Sequence, residues 1–241
     1  MICIYRISNN SYIKPRLKNA TKEHCFLNFL KNILLPQDLL YVLADNINEE
    51  LKLFLQNQMP PNGQIFEVNS GSNGGSFRLQ LGMVNSIPDD EIIFICEDDY
   101  LYRPHSEDSE KFKKNNYLIN EALQRSHYVS LYDHPDKYML PNPGNLNRVS
   151  FRGLHSTEVF LTSGIHWKYT DSTTLTFAAK AKTLKEDMGV WIKHIQGDHP
   201  DDFQAFLELR SCGRTIATPI PGLSTHTDPL YQSPFTNWEA I

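Results

Sequence analysis

The sequence predicts an α/β fold in which a mostly parallel central sheet is flanked by helices. Three observations predict it. Short apolar runs alternate with segments of helical spacing through residues 2–99. These runs contain few polar residues, as expected of strands that are covered on both faces. Polar residues follow directly after each run, and this places them at one edge of the sheet, where such sheets bind ligands.

The first half predicts strands and helices in alternation. The strands are predicted at residues 2–7, 39–43, 65–68 and 91–96. Between them, apolar side chains recur three and four residues apart, which predicts helices around residues 26–34, 51–55 and 77–84. Pro60 and Pro61 end the second helix.

The second half is less regular. Strands are predicted at residues 127–132, 158–161 and 172–178, with a long loop over residues 135–153. One helix spans residues 184–195, and Gly197 follows it. Pro200 is expected to open another helix, which Gly213 closes. Residues 219–241 are predicted to be loop.

Size and composition favour a soluble cytoplasmic protein with one domain. The chain has 241 residues, and its net charge of −5 provides no general basic field that would draw it to nucleic acid. No apolar run approaches the roughly 20 residues of a membrane span, and no signal-peptide pattern opens the chain. The cysteines lie in or beside apolar runs, which predicts buried, reduced thiols: Cys3, Cys25, Cys96 and Cys212.

Three consecutive acids, Glu97, Asp98 and Asp99, close the fourth predicted strand. Carboxylates crowded together raise one another's pKa, and a divalent cation removes that conflict. Hard oxygen ligands suit Mg²⁺ or Mn²⁺. The alternative for this stretch is an acidic turn exposed to water.

A second candidate site is the loop at residues 69–76, which follows the third strand and opens a helix. Its glycines permit close approach of a ligand to the backbone, and the start of a helix favours an anion. Arg78 in the first turn is expected to reach a phosphate or a base. A flexible turn is the alternative.

Two further sequence features contain residues that could act as a general base or as a ligand. Asp201 and Asp202 fall in the first turn of a predicted helix, where they either complement the helix dipole or supply a general base. His226 follows the last predicted strand and is either a surface residue or a ligand. His194, Asp198 and His199 form a weaker metal candidate, because they lack an obvious fourth ligand and polar residues are common at helix ends.

The order of these motifs resembles the GT-A glycosyltransferases, especially family 2, in which an acidic motif ends the fourth strand. Glu97-Asp98-Asp99 is similar to the EDD variant of some N-acetylglucosaminyltransferases. The stretch from Asp201-Asp202 through Arg210 and Gly213 is similar to the acid pair, arginine and glycine of that family, with Asp where Glu is commoner at the first position. The sequence also resembles glycosyltransferases of large algal viruses.

This resemblance implies one GT-A domain, with a nucleotide-sugar half at residues 1–105 and an acceptor half, carrying a smaller sheet and loops, at residues 106–241. It implies that Asp202 is the catalytic base with Asp201 beside it, and that Asp99 and His226 bind Mn²⁺ or Mg²⁺. The residues implied to bind the nucleotide sugar are Arg6, Asp45, Asn73, Arg78, Glu97 and Asp98.

The activity implied is inverting transfer from a nucleotide diphosphate sugar, expected to be a UDP-sugar, to a hydroxyl of a glycan or glycoconjugate. Residues expected to shape the acceptor site are Tyr132, His155, Trp167 and Tyr169. One rival is a sugar nucleotidyltransferase, but residues 8–12 lack the Gly-rich basic loop that those enzymes carry after the first strand. The other is a non-catalytic module that binds a nucleotide sugar without turnover.

Overall fold

The computed structural model describes residues 1–9, 15–103, 115–138 and 157–241. Eleven strands in this part of the chain are β1 (Ile2–Ser8), β2 (Leu39–Asp45), β3 (Gly63–Val68), β4 (Ile92–Glu97), β5 (Tyr100–Tyr102), β6 (Tyr128–Val129), β7 (Val159–Leu161), β8 (His166–Thr170), β9 (Phe177–Lys180), β10 (Ile216–Ile220) and β11 (Ser224–His226). The α-helices described there are α1 (Lys22–Asn32), α2 (Glu49–Gln58), α3 (Asn73–Met83), α4 (Asn115–Ala122), α5 (Ala181–Glu186), α6 (Met188–Lys193) and α7 (Asp202–Ser211).

Nine of these described strands form the central sheet, in the order β3-β2-β1-β4-β9-β6-β10-β8-β7. Strands β3, β2, β1 and β4 are parallel neighbours, so their carboxyl ends meet at one edge. Strand β9 runs antiparallel between β4 and β6. Strands β5 and β11 form a separate antiparallel pair. The predicted α/β architecture, a large sheet with helices and a smaller second sheet, is confirmed.

The core lies on both faces of the sheet because side chains alternate along each strand. On β1, Tyr5 and Ile7 join the cluster that packs against α1 and α2. Ile4, between them, joins the opposite cluster with Phe77 of α3 and Trp191 of α6. Burial on both faces explains why the strands read as continuous apolar runs.

The helices that follow β1, β2 and β3 start beyond the carboxyl ends of those strands, and each start is fixed by a side-chain cap. Thr21 accepts from His24 N, Asn48 from Leu51 N, and Ser72 from Gly75 N. These caps satisfy amide groups that have no partner within the helix. The starts of these three helices are therefore fixed at the same sheet edge.

The second half departs from the prediction in three places. Strand β8 was not expected, because Lys168 and His166 interrupt its apolar pattern. Lys168 is buried because its ammonium pairs with Asp133, with Nζ–Oδ1 2.7 Å, and donates to the Tyr138 hydroxyl. Strand β9 begins at Phe177, later than predicted. The single helix at 184–195 is two helices that meet at Asp187, whose carboxylate accepts from Tyr128 and Arg214.

The prediction that residues 219–241 are loop alone is also wrong. This segment contains the end of β10, all of β11 and 3₁₀ turns at Pro229–Tyr231 and Trp238–Ala240. Strand β11 exists through pairing with distant β5, which no local pattern reveals. Helix α7 begins at Asp202 with Asp201 as its cap, so Pro200 precedes the helix.

The four cysteines are all free thiols. Cys3, Cys25 and Cys96 are buried as predicted, whereas Cys212 is exposed because it caps the carboxyl end of α7. Among the described residues, no helix is long and apolar enough to cross a membrane. His155, residues 10–12 and residues 139–153 of the predicted loop lie outside the described part of the chain.

Candidate active site

A cleft of about 390 Å³ lies at the carboxyl edge of the parallel strands. Six of the ten predicted site residues line it: Arg6, Asp45, Asn73, Glu97, Asp98 and Asp99. The other lining residues are Ser8, Asn46, Asn69, Gly71, Ser72, Ser76, Asp198 and His199. The cleft therefore combines the ends of β1, β2 and β4 with the loop before α3 and the segment before α7.

Arg6 organises the centre of this cleft. It is 6% exposed, and its guanidinium donates to Glu97 Oε1 at 2.6 Å, to Asn73 O at 2.8 Å and to Ser76 Oγ at 2.9 Å. It also donates to the Asn73 side chain. One buried cation thus holds the end of β4 against the start of α3, and it compensates the charge of Glu97.

Arg6→Met is expected to destabilise the protein by about 3–5 kcal/mol, because it removes a buried cation that pairs with Glu97 and holds Asn73 and Ser76. Chemical denaturation at pH 7 measures this loss. Lys52→Met removes an exposed ion pair with Glu67 and serves as the control; its effect should be much smaller. Equal losses in both variants would contradict the role given to Arg6.

Asp98 also has structural partners. Its Oδ2 accepts from Ser8 N at 3.0 Å and forms an ion pair with Lys22, which additionally donates to Ser8 O. Asp98 therefore ties the end of β4 to the end of β1 and the first turn of α1. Lys22 was not among the predicted site residues, although its place at the start of a helix near the sheet edge is visible in sequence.

Asp45 fixes the neighbouring loop. Its carboxylate accepts from Ser70 N and Asn46 Nδ2, each at 2.9 Å, and from the Ser70 hydroxyl. These bonds hold the segment after β3 against the end of β2. Asp45 lines the cleft while it anchors the loop.

The glycines of the 69–76 loop serve backbone packing. Gly74 N donates to Asp198 O at 2.8 Å, and Gly75 N donates to the Ser72 hydroxyl at 3.0 Å. These two amides are therefore already bonded within the protein, whereas Gly71, Ser72 and Asn73 of the same loop line the cleft. Arg78 does not line the cleft, and its guanidinium donates to Ile195 O at 2.7 Å, which corrects its expected reach to a phosphate.

Gly74→Ala is expected to destabilise the protein by about 1–3 kcal/mol, because a Cβ there would lie 2.6 Å from Gly197 O. Gly82→Ala in the same helix is the matched control, since its Cβ would meet no atom within 4 Å. That control should gain about 0.5–1 kcal/mol from helix propensity. Denaturation midpoints of the two variants that move in the same direction would contradict this packing.

The predicted metal pair lies where β5 meets β11. His226 Nε2 is 3.2 Å from Asp99 Oδ2, and the His226 ring packs edge-on against Tyr100. Asp228 N donates to His226 Nδ1 at 3.0 Å, which leaves Nε2 as the ring nitrogen that faces Asp99. Binding a cation through Nε2 would move the ring proton to Nδ1 and displace the Asp228 contact.

No group of three or more His, Cys, Asp or Glu residues that could hold a metal occurs within the described ranges. Asp99 and His226 still fit a hard divalent cation that takes its remaining ligands from water and from the phosphates of a substrate, as Mg²⁺ commonly does. The acidity of the cleft agrees with this, because five of its lining residues are acids: Asp45, Glu97, Asp98, Asp99 and Asp198.

The two acids at the start of α7, Asp201 and Asp202, have different environments. Asp201 is exposed and caps the helix by accepting from Gln204 N at 3.1 Å. Asp202 is partly buried, and desolvation followed by the nearby Glu97 charge raises its pKa from 3.8 to about 7. A bond from Phe203 N, at 2.7 Å from Oδ1, and the Lys137 charge oppose this rise. Asp202 is thus poised to exchange a proton near neutral pH.

Two residues of the segment before the acid pair, Asp198 and His199, were predicted only as part of a weak metal candidate. Asp198 and His199 line the cleft, whereas His194 contacts Glu208, with Nε2–Oε2 2.7 Å. The three residues therefore do not form one cluster. The sequence signal that could have placed Asp198 and His199 at the site is their position shortly before the candidate base, Asp202.

The aromatic residues expected at the acceptor site are mostly structural. Trp167 and Tyr132 are fully buried, and Trp167 donates to Thr162 Oγ1 at 2.9 Å. Tyr169 packs on Phe160 and donates to Arg125 O. Large rings at these positions fill the core beneath the mixed part of the sheet.

No protein-family model matches the sequence, and no curated protein matches it. GalNAc-T7, solved with UDP, GalNAc and Mn²⁺, is similar in structure with a TM-score of 0.57 and 10% identity, over 93% of this chain and 42% of its own. The galactosyltransferase LgtC has a TM-score of 0.49 and 12% identity, over 86% of this chain and 69% of its own. A 4-diphosphocytidyl-2C-methyl-D-erythritol synthase from Anaerococcus prevotii has a TM-score of 0.47 and 11% identity, over 90% of this chain and 85% of its own.

The present chain spans less than half the length of GalNAc-T7. Membership of family 2 and the viral resemblance stay predictions. The similarity to GalNAc-T7, together with the sheet order and the position of the cleft, identifies the fold of this chain as the GT-A type.

Proposed function

We propose that the protein is a metal-dependent, inverting glycosyltransferase that moves a sugar from a nucleotide diphosphate sugar to a hydroxyl of a glycan or another acceptor. The observation that carries the proposal is that Asp202 follows the cleft-lining residues Asp198 and His199 and feels the charge of Glu97, which lines the same cleft as Asp99. A carboxyl group with a pKa near 7 suits a general base at neutral pH. The single domain is proposed to bind donor through residues 1–105 and acceptor through residues 106–241.

The donor is proposed to lie along the cleft from Asp45 to Asp99. Asp45 and Asn46 at the end of β2 face the nucleoside, and Arg6 keeps Glu97 and Asn73 in position below the diphosphate. A divalent cation held by Asp99 and His226 would stabilise the negative charge that develops on the leaving diphosphate. GalNAc-T7 shares the fold and was solved with UDP and Mn²⁺, which makes these the first probes to use.

The acceptor is proposed to enter from the side of α7. Asp202 removes the proton from the acceptor hydroxyl, and that oxygen forms a bond to the anomeric carbon as the bond from this carbon to the phosphate oxygen breaks. Attack opposite the leaving group inverts the anomeric configuration. Partial burial of Asp202 suits this role, because its charged form is poorly solvated and therefore basic.

The test starts from thermal shift with a panel of nucleotide sugars, each with and without Mn²⁺, since a bound donor stabilises the native state. The donor that raises the melting temperature is then incubated with candidate acceptors, and the product is examined by NMR. Release of nucleoside diphosphate with an inverted product is expected. Release of pyrophosphate on mixing a sugar phosphate with a nucleoside triphosphate would indicate a nucleotidyltransferase, and donor binding without turnover would indicate a binding module.

A further inference from the structure

The face of the sheet beneath α7 extends past the start of that helix. Leu209 of α7 and Ile216 of β10 belong to the same buried cluster. Only a short turn separates the helix from the strand, so the chain reverses between them and the first turn of α7, with Asp202, lies over the carboxyl end of β10. Side chains alternate along a strand, so Thr218 points to the same face as Ile216. Thr218 therefore lies on the side of the sheet that carries Asp202, closer to the carboxyl edge than Ile216.

This face continues sideways from β10 to β8. Thr218 is the register partner of Lys168 in the antiparallel pair of these strands, and paired side chains lie on the same face. Lys168 is 6% exposed, and its ammonium pairs with Asp133 Oδ1 at 2.7 Å and donates to the Tyr138 hydroxyl at 2.6 Å. The register of β8 thus brings Tyr138 to the side of the sheet on which Asp202 lies.

Tyr138 is held in one orientation. Its hydroxyl donates to Asp133 Oδ2 at 2.8 Å while it accepts from Lys168, whose ammonium also lies 3.9 Å from the centroid of the ring. Asp133 is only 1% exposed, so the group that anchors the hydroxyl is itself fixed. An aromatic ring that is fixed before a ligand arrives loses little conformational freedom on binding.

The ring of Tyr138 is nevertheless open to solvent. Tyr138 is 50% exposed, whereas two of the aromatic residues predicted for the acceptor site, Tyr132 and Trp167, are fully buried. The Lys168 ammonium covers one face of the ring, so the exposure falls on the opposite face and the edge. A tyrosine in this setting offers a large apolar surface with a polar tip. The C–H groups on one face of a pyranose ring form an apolar surface of matching size.

We propose that Tyr138 binds the acceptor by stacking its exposed ring face on the C–H face of a sugar ring, so that the acceptor is a carbohydrate. This inference rests on the proposed function, because it takes Asp202 as the base that receives the proton of the acceptor hydroxyl. Tyr138 is assigned to the acceptor because it lies beside β10 and β8, whereas the donor cleft is formed at the ends of β1, β2 and β4.

The first test measures sugar binding without turnover. Methyl glycosides of common hexoses and N-acetylhexosamines, and disaccharides built from them, are mixed with the wild-type protein, UDP and Mn²⁺ and followed by NMR. The ring current of Tyr138 should move C–H resonances of at least one glycoside upfield. Tyr138→Phe should keep this shift, and Tyr138→Leu should weaken binding about tenfold. A wild-type protein that shifts no glycoside upfield would overturn the proposal, and this measurement decides even if Tyr138→Leu fails to fold.

Tyr117→Leu is the matched control. Tyr117 lies on α4 and is 46% exposed, so the same substitution removes a ring of similar exposure from another element. Glycoside binding should be unchanged in this variant. Binding that is weakened equally in Tyr117→Leu and Tyr138→Leu, or unchanged in both, would contradict the role given to Tyr138.

The catalytic readout separates acceptor from donor. Tyr138→Leu should raise the KM for the glycoside acceptor about tenfold and leave the KM for the donor unchanged, because the ring contacts only the acceptor. Transfer by a folded Tyr138→Leu variant with an unchanged acceptor KM would overturn the inference and leave the proposed function standing. If the wild-type protein transfers no sugar from any nucleotide sugar, the proposed function fails, while the NMR measurement still decides whether Tyr138 binds a sugar.

Discussion

Asp202→Asn is expected to lower the rate of sugar transfer by about 10²–10⁴-fold, the usual contribution of a general base. The amide has the shape of the carboxylate and can still accept from Phe203 N, so the fold should be retained. Donor affinity, measured by calorimetry, should change little, because the base acts on the acceptor. Near-normal transfer by a folded Asp202→Asn variant would show that another group is the base.

Asp201→Asn is the matched control for that variant. Asn caps a helix about as well as Asp, so the bond to Gln204 N and the stability should survive. A much smaller loss of transfer is expected than for Asp202→Asn. Equal losses would mean that the two acids act together and that the division of tasks described above is wrong.

The pKa of Asp202 gives this prediction a pH dependence. Transfer by the wild type should rise with pH through about 7, because the base form predominates above the pKa. The contribution of Asp202 to the free energy of unfolding changes in the opposite direction as pH rises. The unfolded carboxyl loses its proton near 3.8 and the folded one near 7, so the free energy of unfolding falls across this window as pH rises. Asp202→Asn removes this effect and should be more stable than wild type above pH 7, by up to about 4 kcal/mol.

Asp99→Asn is expected to lower Mn²⁺-dependent transfer at least about a hundredfold, because charge on the leaving diphosphate would lose its counterion. Calorimetry with Mn²⁺ and UDP should show the corresponding loss of metal binding. In the wild type, EDTA should abolish transfer and excess Mn²⁺ should restore it. Full transfer in EDTA would exclude the metal role.

Asp98→Asn is the control at the adjacent position. Asp98 is paired with Lys22 and bound by Ser8 N, so its loss should reduce stability more than metal affinity. Asp99→Asn should reduce metal affinity more than stability. Metal binding that depends on Asp98 and not on Asp99 would reassign the ligand within the Glu97–Asp98–Asp99 motif.

The sequence by itself determined the first half of the fold and the edge at which the site lies. Strands β1, β2 and β4 are buried over most of their length, so their residues are mainly apolar and the pattern is readable locally. Strand β3 is a partly exposed edge strand whose apolar residues are fewer. Acids such as Asp45 and Asp99 follow these strands directly, and parallel strands bring their carboxyl ends together. Those two facts were sufficient to predict a cleft containing Asp45, Asp99 and their neighbours.

Only the tertiary structure decided which polar side chains enter that cleft. Arg6 turns inward because Glu97, 91 residues later, accepts its hydrogen bond, while Arg78 turns away to Ile195 O. Asp202 rather than Asp201 is the partly buried acid, since capping the helix fixes Asp201 in solvent. Local periodicity records a residue's immediate neighbours along the chain, whereas these choices depend on partners that folding brings from far away.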